Sequence, residues 1–239
     1  MRAVVKVGAE LGCRFVTDRA EPGLRPGELR VEVAAASVCA TDAALYVSGG
    51  AGGDLGMTFP RIMGHEAAGR VVEVGSDCDG WAVGTRVALE THLHCDDCYF
   101  CRSGDRQNCA AMGILGVTVD GVFADRVVVP ARSCFALPDE IGSHVGALLE
   151  PAGSAMHSVL RSGVDLAGAS VLVTGAGPVG LVTAQILVAL VVAGSVDLEL
   201  LVTHRLPLSR LPVALDLMRS EAAKVLLIPA MPDERLNVE

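Results

Sequence analysis

The sequence predicts a mainly β fold with a smaller α/β part, and three observations predict it. Short β-type runs broken by glycine, proline and aspartate fill residues 1–138, which is typical of an antiparallel, barrel-like arrangement. From about Ser143 the apolar residues recur with a helical period. Residues 170–174 then indicate a buried strand that leads into a glycine-rich turn and a long apolar stretch. One strand–turn–helix unit is therefore expected beside the barrel.

The individual elements follow from the same patterns. In the first part, alternating or continuous apolar runs predict strands at residues 2–7, 29–35, 69–74, 85–89 and 122–129. Residues 143–160 and 208–220 have helical periodicity, and residues 224–228 form an apolar run that predicts a last strand. The longest apolar stretch, 179–194, is shorter than the roughly 20 residues that a membrane span needs, so it predicts a buried helix.

Composition excludes several classes of function. The chain has 239 residues, of which 51% are hydrophobic, so it can bury a sizeable core. Its formal net charge of −9 argues against nucleic-acid binding, which rests on clustered lysine and arginine. The first ten residues lack the pattern of a secretion signal, so a cytoplasmic location is expected. We therefore expect a small-molecule substrate, and neither a nucleic-acid nor a membrane partner.

Four cysteines within fifteen positions predict a structural zinc site. Tetrahedral coordination by four thiolates is the geometry of closed structural zinc sites. The alternative, four small hydrophobic side chains in a core, fails because the segment between them is rich in aspartate and arginine. Disulfides are disfavoured in a chain with no sign of secretion. The four predicted ligands are Cys95, Cys98, Cys101 and Cys109.

A second, dispersed set of potential metal ligands is weaker when judged by spacing alone. Cys39 lies near Asp42, His65 is followed by Glu66, and Glu150 stands far along the chain. A lone cysteine is more often core filler than ligand, and an isolated His–Glu pair is common on protein surfaces. From the residues alone, both interpretations stay open.

A resemblance to a known family favours the metal interpretation. The motifs Cys39-Ala-Thr-Asp, Gly64-His-Glu-Ala-Ala-Gly with the following Arg-Val-Val-Glu-Val-Gly, and Val83-Gly-Thr-Arg-Val, together with the four cysteines, resemble the zinc-dependent medium-chain dehydrogenases/reductases, the alcohol dehydrogenase superfamily. The match runs from residue 1 to about 187. Glu150 and His92 look closest to the threonine and sorbitol dehydrogenase branch. The resemblance implies a chaperonin-10-like (GroES-like) barrel as the catalytic domain.

The same resemblance implies roles for individual residues. Cys39, His65 and Glu150 would hold a catalytic zinc, so the chain would carry two zinc ions. Glu66 would be an exchangeable or water-bridged ligand, Thr41 would relay the substrate proton, and Asp42 would orient the ring of His65. His92, Glu66 or Thr41 are the candidates for a catalytic base. Three protein ligands leave one zinc position open for substrate, as a catalytic site requires.

The chain departs from the family in its cofactor half. Residues 192–208 resemble the point at which family members return to the catalytic domain, so the family's two ends meet near residues 186–190. The predicted division is a catalytic domain over 1–155, a truncated Rossmann remnant over 156–199 and a C-terminal return over 200–239. Gly175, Gly177 and Gly180 form a GxGxxG turn without its confirming second strand. We expect this turn to be vestigial and NAD(P) to be absent.

Three hypotheses for function follow. The leading one is an enzyme that has lost hydride transfer and uses zinc as a Lewis acid on a small hydroxy or carbonyl substrate, in a dehydration, elimination, isomerisation or cyclisation. The second is an NAD(P)-dependent alcohol, polyol or threonine-type dehydrogenase. The third is a non-catalytic, zinc-stabilised binding protein. The apolar helix from Val179 to Ala193 has lost the strands that cover it in the family, so a homodimer or higher oligomer built on it is expected.

Overall fold

The described residues form a seven-stranded, a three-stranded and a two-stranded sheet, with helices packed on the largest one. The computed structural model describes residues 1–48, 56–164, 170–192, 199–220 and 224–232. Within these ranges, no helix has the length and apolar character to cross a membrane. The apolar helix predicted to end at Ala193 is described as far as Val192, so its last residue lies outside the described part.

Strands outnumber helices among the described residues. The strands are β1 Ala3–Lys6, β2 Arg14–Val16, β3 Glu28–Ser37, β4 Arg61–Ile62, β5 Glu66–Val74, β6 Arg86–Leu89, β7 His92–Leu93, β8 Gly113–Ile114, β9 Arg126–Pro130, β10 Cys134–Ala136, β11 Val202–Pro207 and β12 Lys224–Ile228. The α-helices are α1 Ala40–Ser48, α2 Tyr99–Arg102, α3 Ser143–Gly146, α4 Leu149–Arg161, α5 Pro178–Val192 and α6 Leu211–Ser220.

A seven-stranded sheet forms the body of the described chain. Its strands run in the order β10-β6-β5-β3-β12-β11, and β9 also pairs with β3. All pairs in it are antiparallel except β11 with β12. Strand β12 joins Leu226 and Leu227 to Ser37 and Ala36 of β3, so the C-terminal residues extend the sheet built by the first part. The predicted domain boundaries themselves stay a prediction.

Two large apolar clusters, and a small third one at β1 and β4, hold these elements together. The larger one fills the inside of the curved sheet and includes Leu29, Val31 and Phe123, together with Leu211 and Leu215 of α6. Burial of such side chains contributes roughly 1.5–3 kcal/mol each. The second large cluster lies between the sheet, α4 and α5, and includes Ala155, Val182 and Ile186. The return of the chain through α6 and β12 therefore completes the core of the barrel.

Four of the five strands predicted in the first part are present, with bounds that differ by at most three residues. The fifth prediction, residues 122–129, is wrong at its start, because β9 begins only at Arg126. The preceding residues are buried, yet they bridge two places instead of joining one ladder: Phe123 accepts from the amide of Val4 and donates to the carbonyl of Met63. The predicted helix 143–160 is divided into α3 and α4.

The strand predicted at residues 170–174 is also wrong. The structure shows no regular element there, and Val171 and Leu172 are 50% and 86% exposed. An apolar run becomes a buried strand only when neighbouring strands take its hydrogen bonds and helices cover its faces. In the described part of the chain no strand lies beside this segment. The apolar pattern is therefore present here without a neighbouring strand among the described residues.

Candidate active site and metal centres

The four-cysteine lobe has the geometry of a zinc site. Its four sulfur atoms all lie within 4.8 Å of one another. The sulfur of Cys109 is 3.5 Å from that of Cys95, and the sulfur of Cys101 lies 3.6 Å from Cys98 and 3.9 Å from Cys95. A tetrahedron of sulfurs placed about 2.3 Å from zinc has edges of about 3.8 Å. The spacing of the free thiols therefore fits a zinc ion at their centre.

Backbone amides prepare two of these thiols for a metal. The amides of Asp97 and Cys98 donate to the sulfur of Cys95, at 3.5 and 3.3 Å. Amides of Cys101 and Ala110 lower the pKa of Cys98 to about 6, whereas burial raises the pKa of Cys101 to about 12. Without a cation the four thiols cannot all ionise together. A zinc ion would let all four become thiolates.

Asp96 ties the lobe to the rest of the molecule. It has the positive φ of 60°, and its carboxylate pairs with Arg106 at 3.2 Å and with Arg132 at 3.1 Å. Arg132 also donates to the carbonyl of His94 at 2.7 Å. These contacts fix the loop that begins the four-cysteine segment.

The second candidate metal centre gathers Cys39, His65 and Glu66, whose ligand atoms all lie within 4.8 Å of one another. Cys39 follows β3, and the other two stand where β5 begins. Gly64 has a φ of +89°, and a Cβ on it would lie 2.3 Å from the ring of Phe123. Only glycine therefore brings His65 and Glu66 to this position beside Cys39.

Helix α1, which the sequence analysis does not predict, supplies the support for this centre. Asp42 in its first turn is fully buried and accepts a hydrogen bond from the amide of Cys39 at 2.9 Å. Its other oxygen is 3.4 Å from Nδ1 of His65, as expected of a carboxylate that orients a metal-bound imidazole. The hydroxyl of Thr41 lies 3.7 Å from the sulfur of Cys39. The structure thus brings together five of the predicted residues.

The electrostatics of this centre indicate that a cation belongs in it. Burial alone lowers the pKa of His65, but Asp42, Cys39 and Glu66 outweigh burial and raise it to about 11. A buried imidazole with so high a pKa holds a proton because anionic groups surround it. A zinc ion, which requires the neutral ring, would replace that proton as the positive charge. The donor set therefore fits zinc.

Lys224 is a member of this centre that the sequence analysis misses. Its side chain is 3% exposed, and its ammonium lies 2.9 Å from Oε1 and 2.6 Å from Oε2 of Glu66. It also donates to the carbonyl of Val38 at 3.0 Å. Lys224 is a charged residue at the start of an otherwise apolar strand, and this pattern could have indicated its role from the sequence. Lys224 thus provides Glu66 with a positive charge other than a metal ion. A carboxylate with two possible counter-ions is suited to be an exchangeable zinc ligand.

Glu150 stands in a different group from the one the family resemblance implies. It lies in the first turn of α4, and its carboxylate is within 4.8 Å of ligand atoms of Glu90 and His92. Burial, and next the charge of Glu66, raise the pKa of Glu150 to about 7, so it is near the centre at Cys39 and His65. The three-ligand set with Glu150 as a resting ligand stays a prediction.

A cavity of about 740 Å³ opens beside these residues. Glu90, His92 and Glu150 line it, together with apolar side chains of Met112 and Phe135. His92 is half exposed, and its Nδ1 is 2.8 Å from the carboxylate of Glu90. That hydrogen bond raises the pKa of His92. The lining of the cavity combines apolar side chains with polar and charged ones. A concave space in which polar groups can orient a ligand beside apolar surface is typical of a small-molecule site.

The glycine turn keeps its local shape. Gly175 has a φ of +95°, and a Cβ on Gly180 would lie 2.0 Å from the carbonyl oxygen of Gly175. The turn leads into the N-terminus of α5, where Leu181 donates to the carbonyl of Gly177. Such a terminus can receive a phosphate. No described strand stands where the ribose of a dinucleotide would be bound.

Comparison with known proteins finds a family match and curated relatives. Residues 25–139 match the alcohol dehydrogenase GroES-like domain. L-threonine 3-dehydrogenases from Pyrococcus furiosus and Aeromonas salmonicida are 42% and 37% identical over 182 and 186 residues, which cover 76% and 78% of this chain. The chain belongs to the zinc-dependent alcohol dehydrogenase superfamily. It spans about half the length of these curated relatives, 51% and 53%.

Solved structures of alcohol dehydrogenases share the fold. Galactitol-1-phosphate dehydrogenase from Escherichia coli has a TM-score of 0.73 and 28% identity, over 86% of this chain and 56% of that one. An alcohol dehydrogenase of E. coli CFT073 in complex with NADH reaches a TM-score of 0.81 at 20% identity, over 95% of this chain and 99% of that one. The second likeness concerns the fold alone. The GroES-like fold and the family resemblance are confirmed.

The comparisons do not support two expectations from the sequence, namely a non-redox reaction and the absence of NAD(P). The curated relatives are named as dehydrogenases, which favours the second hypothesis over a non-redox reaction. The E. coli CFT073 structure contains NADH, so the expectation that NAD(P) is absent also lacks support. The assignment of individual site residues stays a prediction, since it rests on geometry alone.

The ion pair of Lys224 with Glu66 leads to a prediction about stability. Changing Lys224 to methionine leaves a buried carboxylate without a partner, so the free energy of unfolding of the metal-free protein should fall by about 3–5 kcal/mol. Adding Glu66→Gln to that variant should recover most of the loss. Denaturant titration of the two single variants and the double variant measures the coupling.

Lys6 offers a matched control, because it is also buried but donates to the backbone carbonyls of Gly12 and Tyr46. Glu66→Gln should not rescue Lys6→Met. A coupling energy near zero between Lys224 and Glu66 would contradict the pairing.

Proposed function

We propose that this protein is a zinc-dependent dehydrogenase that oxidises a small hydroxy compound of the threonine or polyol class with a nicotinamide cofactor. The observation that carries the proposal is the centre of Cys39, His65 and Glu66 close to a cavity that His92 and Glu150 line. The names of the curated relatives support the reaction type and suggest L-threonine as the first substrate to test.

Zinc would be held by Cys39 and His65, with Glu66 or Glu150 as the third protein ligand. When bound there, it would supply a Lewis acid that stabilises the substrate oxygen as an alkoxide. A thiolate and a carboxylate neutralise much of the charge of the ion. Such a site therefore suits an alkoxide better than the generation of hydroxide, which calls for neutral ligands.

The residues around the metal have separate tasks in this proposal. Asp42 holds the ring of His65 in its ligating orientation. Thr41, whose hydroxyl lies beside the sulfur of Cys39, would accept the proton of the substrate alcohol and pass it on. Lys224 balances the charge of Glu66 whenever that carboxylate is not on the metal. Met112 and Phe135 supply apolar surface to the cavity.

The described residues fit only one part of a nicotinamide cofactor. The glycine turn and the N-terminus of α5 suit a phosphate group, and a bound nicotinamide would accept the substrate's hydride. Residues that fix the ring at about 3–3.5 Å from the substrate carbon are not identified among those the structure describes. We also propose that the Rossmann domain of this chain is truncated, as predicted for residues 156–199.

A second candidate function rests on the exposed residues 170–174. If the chain builds no cofactor sheet, the same zinc centre would polarise an oxygen in a non-redox reaction such as a dehydration. The discriminating experiment uses zinc-loaded protein with L-threonine, sorbitol and 2,3-butanediol, each with and without NAD or NADP. Cofactor-dependent oxidation supports the dehydrogenase. Product formed equally well without cofactor supports the second candidate, and inactivity with every substrate favours a binding protein.

We also propose that the protein forms a homodimer through helix α5. Val182 and Ile186 of this helix are buried, but Val179 and Val188 are 50% and 60% exposed. The helix has no charged residue, so a second copy can cover it without repulsion. We expect light scattering at micromolar concentration to give twice the chain mass of 24.7 kDa.

Val188→Asp should convert the dimer to a monomer. The control is Val83→Asp, since Val83 is 66% exposed and lies outside α5. A monodisperse monomer of the unchanged protein would contradict the proposal.

A further inference from the structure

The carboxylate of Glu90 makes two hydrogen bonds with His92. Its Oε1 is 2.9 Å from the backbone amide of His92 and 2.8 Å from Nδ1 of the ring. The amide of Glu90 in turn donates to the carbonyl of Ser133 at 2.8 Å, and the carbonyl of Thr91 accepts from Leu115 at 3.1 Å. The backbone that presents both side chains is therefore anchored on two sides.

This contact determines which ring nitrogen carries the proton in the neutral state. The amide of His92 is a donor, so the oxygen that it reaches acts as an acceptor. The same oxygen must then accept from Nδ1, which places the proton of the neutral imidazole on Nδ1. Nε2, at the other edge of the ring, keeps its lone pair.

The position of the ring would let that lone pair accept a hydrogen bond from a molecule in the cavity. His92 is half exposed and lines the 740 Å³ cavity beside Glu150. An imidazole nitrogen and a carboxylate side by side offer two acceptors to one substrate group. An ammonium group has three hydrogens and can donate to both acceptors, a hydroxyl group can donate to one of them, and a methyl group can donate to neither.

We propose that Glu90 is a positioning residue that holds His92 with Nδ1 protonated, so that Nε2 accepts a hydrogen bond from a donor group next to the alcohol of the substrate. The part that concerns substrate rests on the proposed dehydrogenase function. The part that concerns the tautomer does not. In this proposal Glu90 acts through His92 and not on the reacting atoms.

The first test reads the tautomer directly. Protein labelled with nitrogen-15 in histidine and loaded with zinc is compared with its Glu90→Gln and Glu90→Ala variants, by long-range nitrogen–proton correlation at alkaline pH. His92→Asn identifies the His92 signals. The unchanged protein should show Nδ1–H. Glu90→Gln keeps an acceptor and should largely preserve this form, whereas Glu90→Ala should give a mixture with Nε2–H. An Nε2–H signal in the unchanged protein, or no change in Glu90→Ala, overturns the proposal.

The second test measures how the tautomer of His92 affects the kinetics with substrate. With L-threonine and NAD, Glu90→Ala should lower kcat/KM by roughly 10- to 100-fold, as is usual for a lost supporting contact, and mainly through KM. In a His92→Ala background the same change should have no further effect, because Glu90 acts through that ring. Glu90→Ala should also reduce the preference for L-threonine over 2-butanol.

Asp139→Ala, which removes a fully exposed carboxylate paired with Arg86, is the matched control and should change neither reading. Equal losses in the presence and absence of His92 overturn the positioning role. If no substrate is oxidised, the proposed function fails, and the tautomer spectrum alone decides for or against Glu90.

Discussion

Replacing Cys39 or His65 with alanine is expected to reduce turnover by about a thousandfold or more. Metal-ion polarisation is worth several kcal/mol in a transition state, and a loss of about 4 kcal/mol corresponds to a thousandfold change in rate. Each variant removes a ligand from the buried centre but no residue of the four-cysteine lobe. Metal analysis should therefore show one zinc per chain in place of two, with an unchanged circular dichroism spectrum.

Cys13→Ala is the matched control for this loss. Cys13 is a half-buried free thiol near Lys6, and its pKa is raised by burial to about 11. Its removal should leave both zinc ions and the activity in place. Full activity after loss of Cys39 would contradict the proposed role of the centre.

Replacing Cys101 with alanine is expected to release the structural zinc and unfold the lobe. Zinc bound to small four-ligand peptides contributes about 10–16 kcal/mol of apparent free energy, and the lobe has few large apolar residues to replace it. Even a net loss of about 4 kcal/mol would lower the Tm by roughly 8–16 °C in a chain of this size. Calorimetry, zinc analysis and limited proteolysis between residues 95 and 109 measure the three effects.

Cys39→Ala serves as the control for the lobe, because it removes the other zinc and should leave residues 95–109 resistant to protease. The unchanged protein should contain zinc that shields the four thiols of the lobe. A content clearly below one zinc per chain, with all four thiols freely titratable, would contradict a structural metal.

Local patterns explain which parts of the structure the sequence could predict. The four cysteines lie within fifteen positions, so their spacing alone predicts their proximity. The strands β1, β3, β5 and β6 have apolar patterns that match their buried faces, which is why their bounds are nearly correct. In both cases the determining contacts follow from short-range order.

Long-range contacts explain what the sequence could not predict. Lys224 reaches Glu66 across 158 positions, and they come together because β12 and β5 both pair with β3. Glu90 is two positions from His92, but its role depends on the direction of the ring, which no spacing reveals. The apolar run at residues 170–174 has the pattern of a strand but no described neighbour to pair with. A pattern predicts a strand only where the rest of the sheet exists.

In the proposed function, the alcohol carbon of the substrate delivers a hydride to a nicotinamide cofactor. The most direct measurement gives zinc-loaded protein L-threonine that carries deuterium at C3, with NAD or NADP, and examines the reduced cofactor by proton NMR. We expect deuterium at C4 of the nicotinamide ring, and none with the Cys39→Ala variant. Zinc-dependent consumption of threonine without deuterium in the cofactor, or no reduction of either cofactor, would contradict the account.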